Sequence, residues 1–287
     1  MSKLAIISDF HMDSNHFSEE ELLVFEEVLR EEQVTDLHFA GDISNDLYGI
    51  SFPYLNRLSR SFIVTYNLGN HDMIGLTENE IDKKDFLIKK LGNKTLLAFH
   101  GWYDYSFYGG DLGKIGHFKD NFYFDRKIHR DFDDQMTTEI LLEKLNQVLN
   151  SLEGDVIVAL HFVPHAHFII DTRYEKFERF NAFLGSKTFH ETFLKYPNIT
   201  DVVFGHIHQR YNPTVIDQIN YHARPLGYTY EWEILRKFLI KYPKFQDDTI
   251  RQPKKNYNHI KELVEWKEYK KEHLKDEFRS AMTTFNF

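Results

Sequence analysis

Cysteine is absent from the 287 residues, so the chain has neither a disulfide framework nor a thiolate metal site. Any metal must therefore be held by His, Asp, Asn or Glu, which points away from a structural zinc module. Long apolar runs are also missing, and none approaches the roughly 18 residues that a bilayer-crossing helix needs. The opening MSKLAIISDF has one lysine and four successive apolar residues before Ser8 and Asp9, too short and too soon polar for a signal peptide. A cytoplasmic protein with no membrane partner is expected. Positive charge is in deficit, with 35 Lys and Arg against 44 Asp and Glu, a formal charge of −9. Such a chain is not built to coat nucleic acid or an anionic membrane. No internal repeat and no low-complexity linker interrupts it.

What is present suits a globular fold. A hydrophobic fraction of 42% over 287 residues supports a sizeable core, and the 26 Phe and 16 Tyr are expected mainly to fill it.

Along the first 70 residues, apolar runs alternate with Gly/Asp breaks and helix-period segments. LAIIS (4–8) reads as a buried strand. Ser18 with Glu21 forms a capping box ahead of a helix whose apolar face is given by Leu22, Leu23, Phe25, Glu26, Val28 and Leu29. DLHFAGD (36–42) and FIVTYNLGN (62–70) read as the next strands, and TLLAF (95–99), DVIVALH (155–161) and DVVFGH (201–206) as later ones, with a helix over about 138–150. This alternation implies βαβ units and a largely parallel, covered sheet. Residues 101–134 break the rhythm and are expected to form an irregular aromatic insertion or flap. Residues 213–232 read as antiparallel β structure. From 233 onward, Lys and Glu interleave with Leu263, Val264, Trp266, Tyr269 and Leu274, as in an amphipathic helix. The expected organisation is one domain over 1–232 with a helical C-terminal extension, 233–287, packed on it.

Polar residues with metal-binding capacity stand at the end of each apolar run. Asp9 and His11 follow the first, Asp42 the second, Asn70 and His71 the third, His161 a later one, and His206 and His208 the last. The C-terminal strand ends of a parallel sheet lie along one edge, where ligands bind. Asp-x-His and His-x-His in extended backbone would point both side chains to one side.

The ordered blocks DFH (9–11), GD (41–42), GNHD (69–72), LH (160–161) and GHIH (205–208) resemble the signature of the calcineurin-like metallophosphoesterases. The resemblance spans roughly residues 4–225. It implies an α/β fold, a four-layer α/β/β/α sandwich with mixed sheets and a metal site at the C-terminal strand edge. It also implies two divalent metal ions. Asp9, His11 and His208 would hold the first, Asn70, His161 and His206 the second, and Asp42 both. Among the histidines of HFVPHAH, His161 is preferred over His165 and His167 because it directly follows the strand. His100, after another strand, matches no block and reads as structural.

Two close cations need a shared anionic ligand, which Asp42 can supply. The mixed nitrogen and oxygen ligand set favours manganese, iron or zinc. The implied activity is hydrolysis of a phosphate ester by a hydroxide shared between the metals. By resemblance His71 faces the substrate, stabilising phosphoryl charge or protonating the leaving group, and Asn70 lies beside it. Asp72 or Asp46 would orient the His71 imidazole, with capping of the following backbone as the other role for Asp72. Gly69 would permit a sharp turn. Arg224 is a candidate phosphate contact through its guanidinium fork. The expected substrate is a small or nucleotide-like phosphomonoester or phosphodiester. A nuclease is the closest alternative, and would need the tail lysines to form a continuous basic stripe. A non-catalytic protein-binding scaffold is the alternative of another class.

Overall fold

Apolar residues in unbroken runs leave no polar face to the central strands, and the computed structural model shows how both faces are covered. It describes residues 2–171, 175–246 and 253–287. Its strands are β1 (Lys3–Ile7), β2 (Asp36–Ala40), β3 (Ile63–Asn67), β4 (Leu87–Leu91), β5 (Lys94–Phe99), β6 (Asp155–Leu160), β7 (Ile199–Phe204), β8 (Thr214–Ile216), β9 (Ile219–Ala223) and β10 (Thr283–Asn286). They form two sheets, ordered β10-β1-β2-β3 and β4-β5-β6-β7-β9-β8. The core strands of each are parallel, while β10, β4 and β8 pair antiparallel at or near the edges. A single largely parallel sheet is thus corrected to two mixed sheets, as the family resemblance implied.

Strand alternation divides each run between two cores. Leu4 and Ile6 of β1 meet Leu96, Ala98, Ile157 and Ala159 in the layer between the sheets. Ala5 and Ile7 face the other way, into a cluster with Phe25 and Leu29 of helix α1 (Glu19–Glu31). The second sheet turns Val156, Val158 and Phe204 outward onto two helices, α3 (Asp134–Leu149) and α4 (Lys187–Phe193). The result is four layers, helix, sheet, sheet, helix. Each fully buried Leu or Ile contributes roughly 1.5–3 kcal/mol of burial free energy, so a polar substitution at these strand positions would be felt on either face.

The capping box of α1 forms as read, with Ser18 Oγ accepting from Glu21 N–H and Glu21 Oε2 from Ser18 N–H. The insertion 101–134 is more regular than its sequence suggests. It contains α2 (Leu112–Phe122), capped by Asp111, and a 3-10 turn over Phe124–Lys127. Buried Asp134 anchors it, accepting from Trp102 Nε1 at 2.8 Å and Lys119 Nζ at 2.7 Å. Gly113 and Gly116 within α2 hide its helical period.

Residues 213–232 form only the short β8–β9 hairpin, and the chain then turns through Thr229–Glu231 into the tail helices. The tail is α5 (Glu233–Lys241), α6 (Pro253–Ile260) and α7 (Val264–Ser280), and residues 247–252 lie outside the described residues. Trp266, Tyr269 and Leu274 bury as expected, whereas Val264 is exposed. The tail is not wholly helical, because β10 returns to pair with β1. No helix among the described residues is long and apolar enough to cross a membrane.

Candidate metal centre

Beyond β1 and β2 the chain makes two loops laced together by backbone hydrogen bonds. Asp9 N–H donates to Gly41 O at 3.0 Å, His11 N–H to Asp42 O at 2.9 Å and Met12 N–H to Ile43 O at 2.8 Å. Asp9, His11, Asp42, His206 and His208 all have positive φ, between 45° and 67°. Left-handed backbone at a residue with a Cβ costs roughly 1–3 kcal/mol and persists only where surrounding contacts over-determine it. Asp-x-His and His-x-His therefore converge through left-handed turns, and the extended-backbone alternation expected from the sequence is corrected.

The side chains meet in two groups that share one carboxylate. Ligand atoms of Asp9, His11, Asp42 and His208 lie within 4.8 Å of one another, as do those of Asp42, His161 and His206. In the first group His208 Nε2 is 3.1 Å from Asp9 Oδ1 and 3.0 Å from His11 Nε2. In the second, His161 Nε2 stands 3.3 Å from Asp42 Oδ2, 3.2 Å from His206 Nδ1 and 3.2 Å from Asn70 Oδ1. His161 comes from the second sheet, and its Nδ1 lies 3.1 Å from Ala40 O of the first. The site thus spans the strand ends of both sheets.

This donor set fits cations. Burial would raise the Asp42 carboxyl, but the imidazoles of His161 and His71 reverse this and hold it well below the usual carboxylate range. Burial likewise opposes ionisation of Asp9, yet the His208 hydrogen bond and charge bring it down to about 2. Burial pushes His11 well down and His206 to about 3, leaving both as neutral nitrogen donors. His161 is raised to about 9 because Asp42 outweighs its burial, and His208 is raised because Glu231 and Asp9 outweigh burial there. In both, the carboxylate charge that favours a proton would equally favour a bound divalent cation.

His71 reaches the edge of this cluster, its Nε2 3.8 Å from Asp42 Oδ2. Its Nδ1 lies 2.8 Å from Asn45 Oδ1, and Asn45 Nδ2 in turn donates to Asp13 Oδ2 at 2.7 Å. An acceptor-only carboxylate at Asp13 fixes the amide with its oxygen toward His71. The imidazole is thereby held with its proton on Nδ1 and its Nε2 lone pair toward the cluster. Burial also lowers the His71 pKa.

Neither Asp72 nor Asp46 holds that imidazole, which corrects the orienting role expected of them. Asp46 caps the following turn through Gly49 N–H at 2.8 Å. Asp72, fully buried, accepts from the backbone N–H of Asp42 at 2.6 Å, Gly69 at 2.9 Å, Ile43 at 2.9 Å and Ser44 at 3.2 Å. It braces the GD loop against the GNHD loop, so its expected catalytic contribution becomes a structural one. The reading of Gly69 is refined as well. A Cβ there would lie 2.2 Å from Asp42 Oδ1 and 2.5 Å from Asp42 N, so the glycine permits close approach of the two loops.

Three contacts of the cluster were not legible as motifs. His208 Nδ1 lies 2.8 Å from Glu231 Oε2, which also accepts from Tyr228 N–H at 2.9 Å. The Tyr228 ring stacks on His11 with centroids 4.4 Å apart. Asn70 Nδ2 donates to Asp125 Oδ1 of the insertion at 2.8 Å. Asn70 itself is buried, with its oxygen directed to His161. Arg224 stands apart from the cluster, half-buried, its Nε donating to Ser280 O at 2.7 Å. His165 packs on His190 with ring centroids 4.5 Å apart, its Nδ1 accepting from His167 N–H. His100 pairs with Asp85 at 2.8 Å and is structural.

The family profile for calcineurin-like phosphoesterases matches residues 2–210. A search of curated proteins gives no match. Among solved structures, the phosphopantetheinyl hydrolase of Mycobacterium tuberculosis aligns with a TM-score of 0.61 and 17% identity, covering 80% of this chain and 91% of that one. A dimetal phosphatase from Danio rerio aligns with a TM-score of 0.48 and 13% identity over 79% of this chain and 87% of that one. The first likeness shows a shared fold.

Proposed function

We propose, from the premise that the chain belongs to the calcineurin-like phosphoesterase family, that this metal-dependent phosphoester hydrolase acts on small or nucleotide-like phosphate esters at a two-metal centre. The observation that carries this reading is the pair of ligand groups sharing Asp42. Asp9, His11 and His208 would hold one ion, Asn70, His161 and His206 the other, with Asp42 common to both. The nitrogen and oxygen donors suit manganese, iron or zinc. Bound ions of this kind supply Lewis-acid activation of water and neutralise phosphoryl charge.

The protein's own contribution centres on His71. Its Nδ1–H is held by Asn45 Oδ1, so Nε2 is the atom presented to a bound ester. An arriving phosphate dianion favours a proton on Nε2, which can then pass to the leaving oxygen. Asn70, beside His71, lines the phosphate seat. Asp72 takes no proton step and keeps the two loops in register through its four backbone contacts. The insertion covers His71 and shields this transfer from bulk water.

A nuclease is less well supported. Lys254, Lys261, Lys267, Lys270 and Lys271 line a groove next to Tyr228, but Glu20, Glu21 and Glu262 line it too. Lys267 pairs with Glu262 and Lys270 with Glu21, so the stripe is interrupted.

The test is hydrolysis of p-nitrophenyl phosphate and its bis-ester with added manganese. Turnover of at least one is expected, and its loss by roughly 10²–10⁴-fold in His71→Ala with metal content retained. No turnover of either, nor of a nucleotide panel, would sink the reading. Loss of metal in His71→Ala would show that His71 is a ligand instead.

A further inference from the structure

We propose that the cavity beside His208 seats a second phosphate of the substrate, gripped by Arg224 with Arg236 at its rim. This rests on the phosphoesterase reading above and narrows its substrate class to esters carrying two phosphate groups. The cavity, about 750 Å³, is lined by His208 of the metal cluster and runs between the 224–228 loop and the tail helices. That volume is in the range of a nucleotide-sized ligand.

The loop that carries Arg224 is fixed to the cluster itself, since Leu226 N–H donates to Ser8 O and Gly227 N–H to Asp9 O, both at 3.0 Å. Arg224 is held from behind by its Nε–H, which donates to Ser280 O at 2.7 Å. Among the described residues its two terminal nitrogens make no hydrogen bond or ion pair, and the residue lines the cavity. A guanidinium anchored at Nε presents its remaining edge as a fork that matches phosphate oxygens.

The charges around it are already committed elsewhere. Arg210 donates to Pro225 O, Ser280 Oγ and the buried carboxylate of Glu277, so it holds the wall together. Glu231 is taken by His208 and Glu233 by Lys237 at 3.2 Å. Arg236 lines the cavity and has no ion pair among the described residues. Burial and the neighbouring Arg210 push the Arg224 pKa down, and the charge of Glu233 offsets this only in part. Tyr230, in the same wall, stacks on Tyr228 with centroids 5.2 Å apart, and Tyr228 stacks on His11. This aromatic line joins the cavity wall at Tyr230 to the metal cluster at His11.

The probes are adenosine 3′,5′-bisphosphate and adenosine 5′-monophosphate, with binding to the manganese-loaded protein measured by calorimetry. Wild type is expected to bind the bisphosphate about tenfold or more tightly than the monophosphate, the size of one charge-assisted contact. Arg224→Gln should bring the two affinities within about threefold, Arg224→Lys should restore part of the gap, and Arg236→Gln should narrow it. Equal affinities in wild type overturn the proposal, as does a gap that survives in Arg224→Gln. If Arg224→Gln does not fold by circular dichroism, Arg236→Gln decides, and an unchanged gap there overturns it. Failure of the phosphoesterase reading is separate, and shows as absence of p-nitrophenyl phosphate turnover whatever these affinities are.

Discussion

Phe124 lies flat against His71, ring centroids 3.8 Å apart and planes inclined by 21°. The phenyl belongs to the insertion and is itself covered by Lys127, whose Nζ is 4.7 Å from the ring centroid. His11 flanks the imidazole edge-on at 4.6 Å. The imidazole is thus fixed by Asn45 at one nitrogen and by the insertion across its face. Phe124→Ala removes the face contact and leaves the metal-ligating groups intact. Stacking of this kind is worth about 0.5–1.5 kcal/mol, so kcat for p-nitrophenyl phosphate should fall by up to about tenfold with metal content unchanged. An unchanged kcat would show that Asn45 alone holds the ring.

Asp125, the next residue, should act on the second metal group. Its Oδ1 accepts from Asn70 Nδ2, which leaves Asn70 Oδ1 aimed at His161 Nε2. Burial raises the Asp125 carboxyl to about 7, so an uncharged acceptor in its place is tolerable. Asp125→Asn should keep metal content near wild type, while Asp125→Ala should lose about one ion per chain after dialysis against trace metal. Elemental analysis of the dialysed protein reads this directly. Full retention in Asp125→Ala would mean that Asn70 needs no such partner.

The contrast between these residues and the five sequence blocks marks how far the chain could be read. Asp9, His11, Asp42, Asn70, His161, His206 and His208 announce themselves because each follows an apolar run, and strand ends are where a sheet gathers its ligands. The buried runs were legible as strands, but their partition into two sheets was not. A run buried on both faces looks the same whether a helix or another sheet covers it. β10 escaped because its pairing with β1 joins the two ends of the chain. Asn45, Phe124, Asp125 and Glu231 carry no local signal, since each meets the site through a loop whose path is decided by tertiary packing. The left-handed backbone of Asp9 and His11 was hidden for the same reason, as nothing in the type of either residue demands it.

Glu231 should tune the first metal group. Its Oε2 accepts at 2.8 Å from His208 Nδ1, whose ring thereby turns Nε2 toward Asp9 and His11. Partners of this type fix the tautomer of a ligating histidine and raise its basicity, and their removal lowers metal affinity by about 10–100-fold. Glu231→Ala should weaken manganese binding by that factor in competition with a chelator. Glu231→Gln, which keeps an acceptor oxygen, should weaken it less. Equal affinities in wild type and Glu231→Ala would reduce this contact to packing.

His38 gives the fold a pH dependence away from the metal groups. The residue is fully buried in β2, its Nδ1 3.0 Å from Thr65 Oγ1 and its Nε2 2.9 Å from Asn67 Oδ1. Asn67 Nδ2 donates to Leu68 O, which turns the amide oxygen toward His38 and makes Nε2–H the donor. Nδ1 then accepts from the threonine hydroxyl, and the imidazole is satisfied as a neutral group. Burial, with a contribution from Lys89, pushes its pKa from the ordinary 6.5 to about 4 in the folded chain. Between those values the unfolded chain binds a proton that the folded chain does not. The stability due to neutral His38 is therefore fully present above about pH 6.5 and is lost as pH falls toward 4, by about 3 kcal/mol in all. His38→Gln removes this titration while sacrificing ring packing, so the variant should be less stable than wild type at pH 7.5. That gap should shrink steadily as the pH is lowered to 4.5 in matched urea denaturations, because the pH dependence of the metal groups is common to both proteins and cancels. A gap that stays constant over the range would show that His38 titrates in the folded chain as it does in the unfolded one.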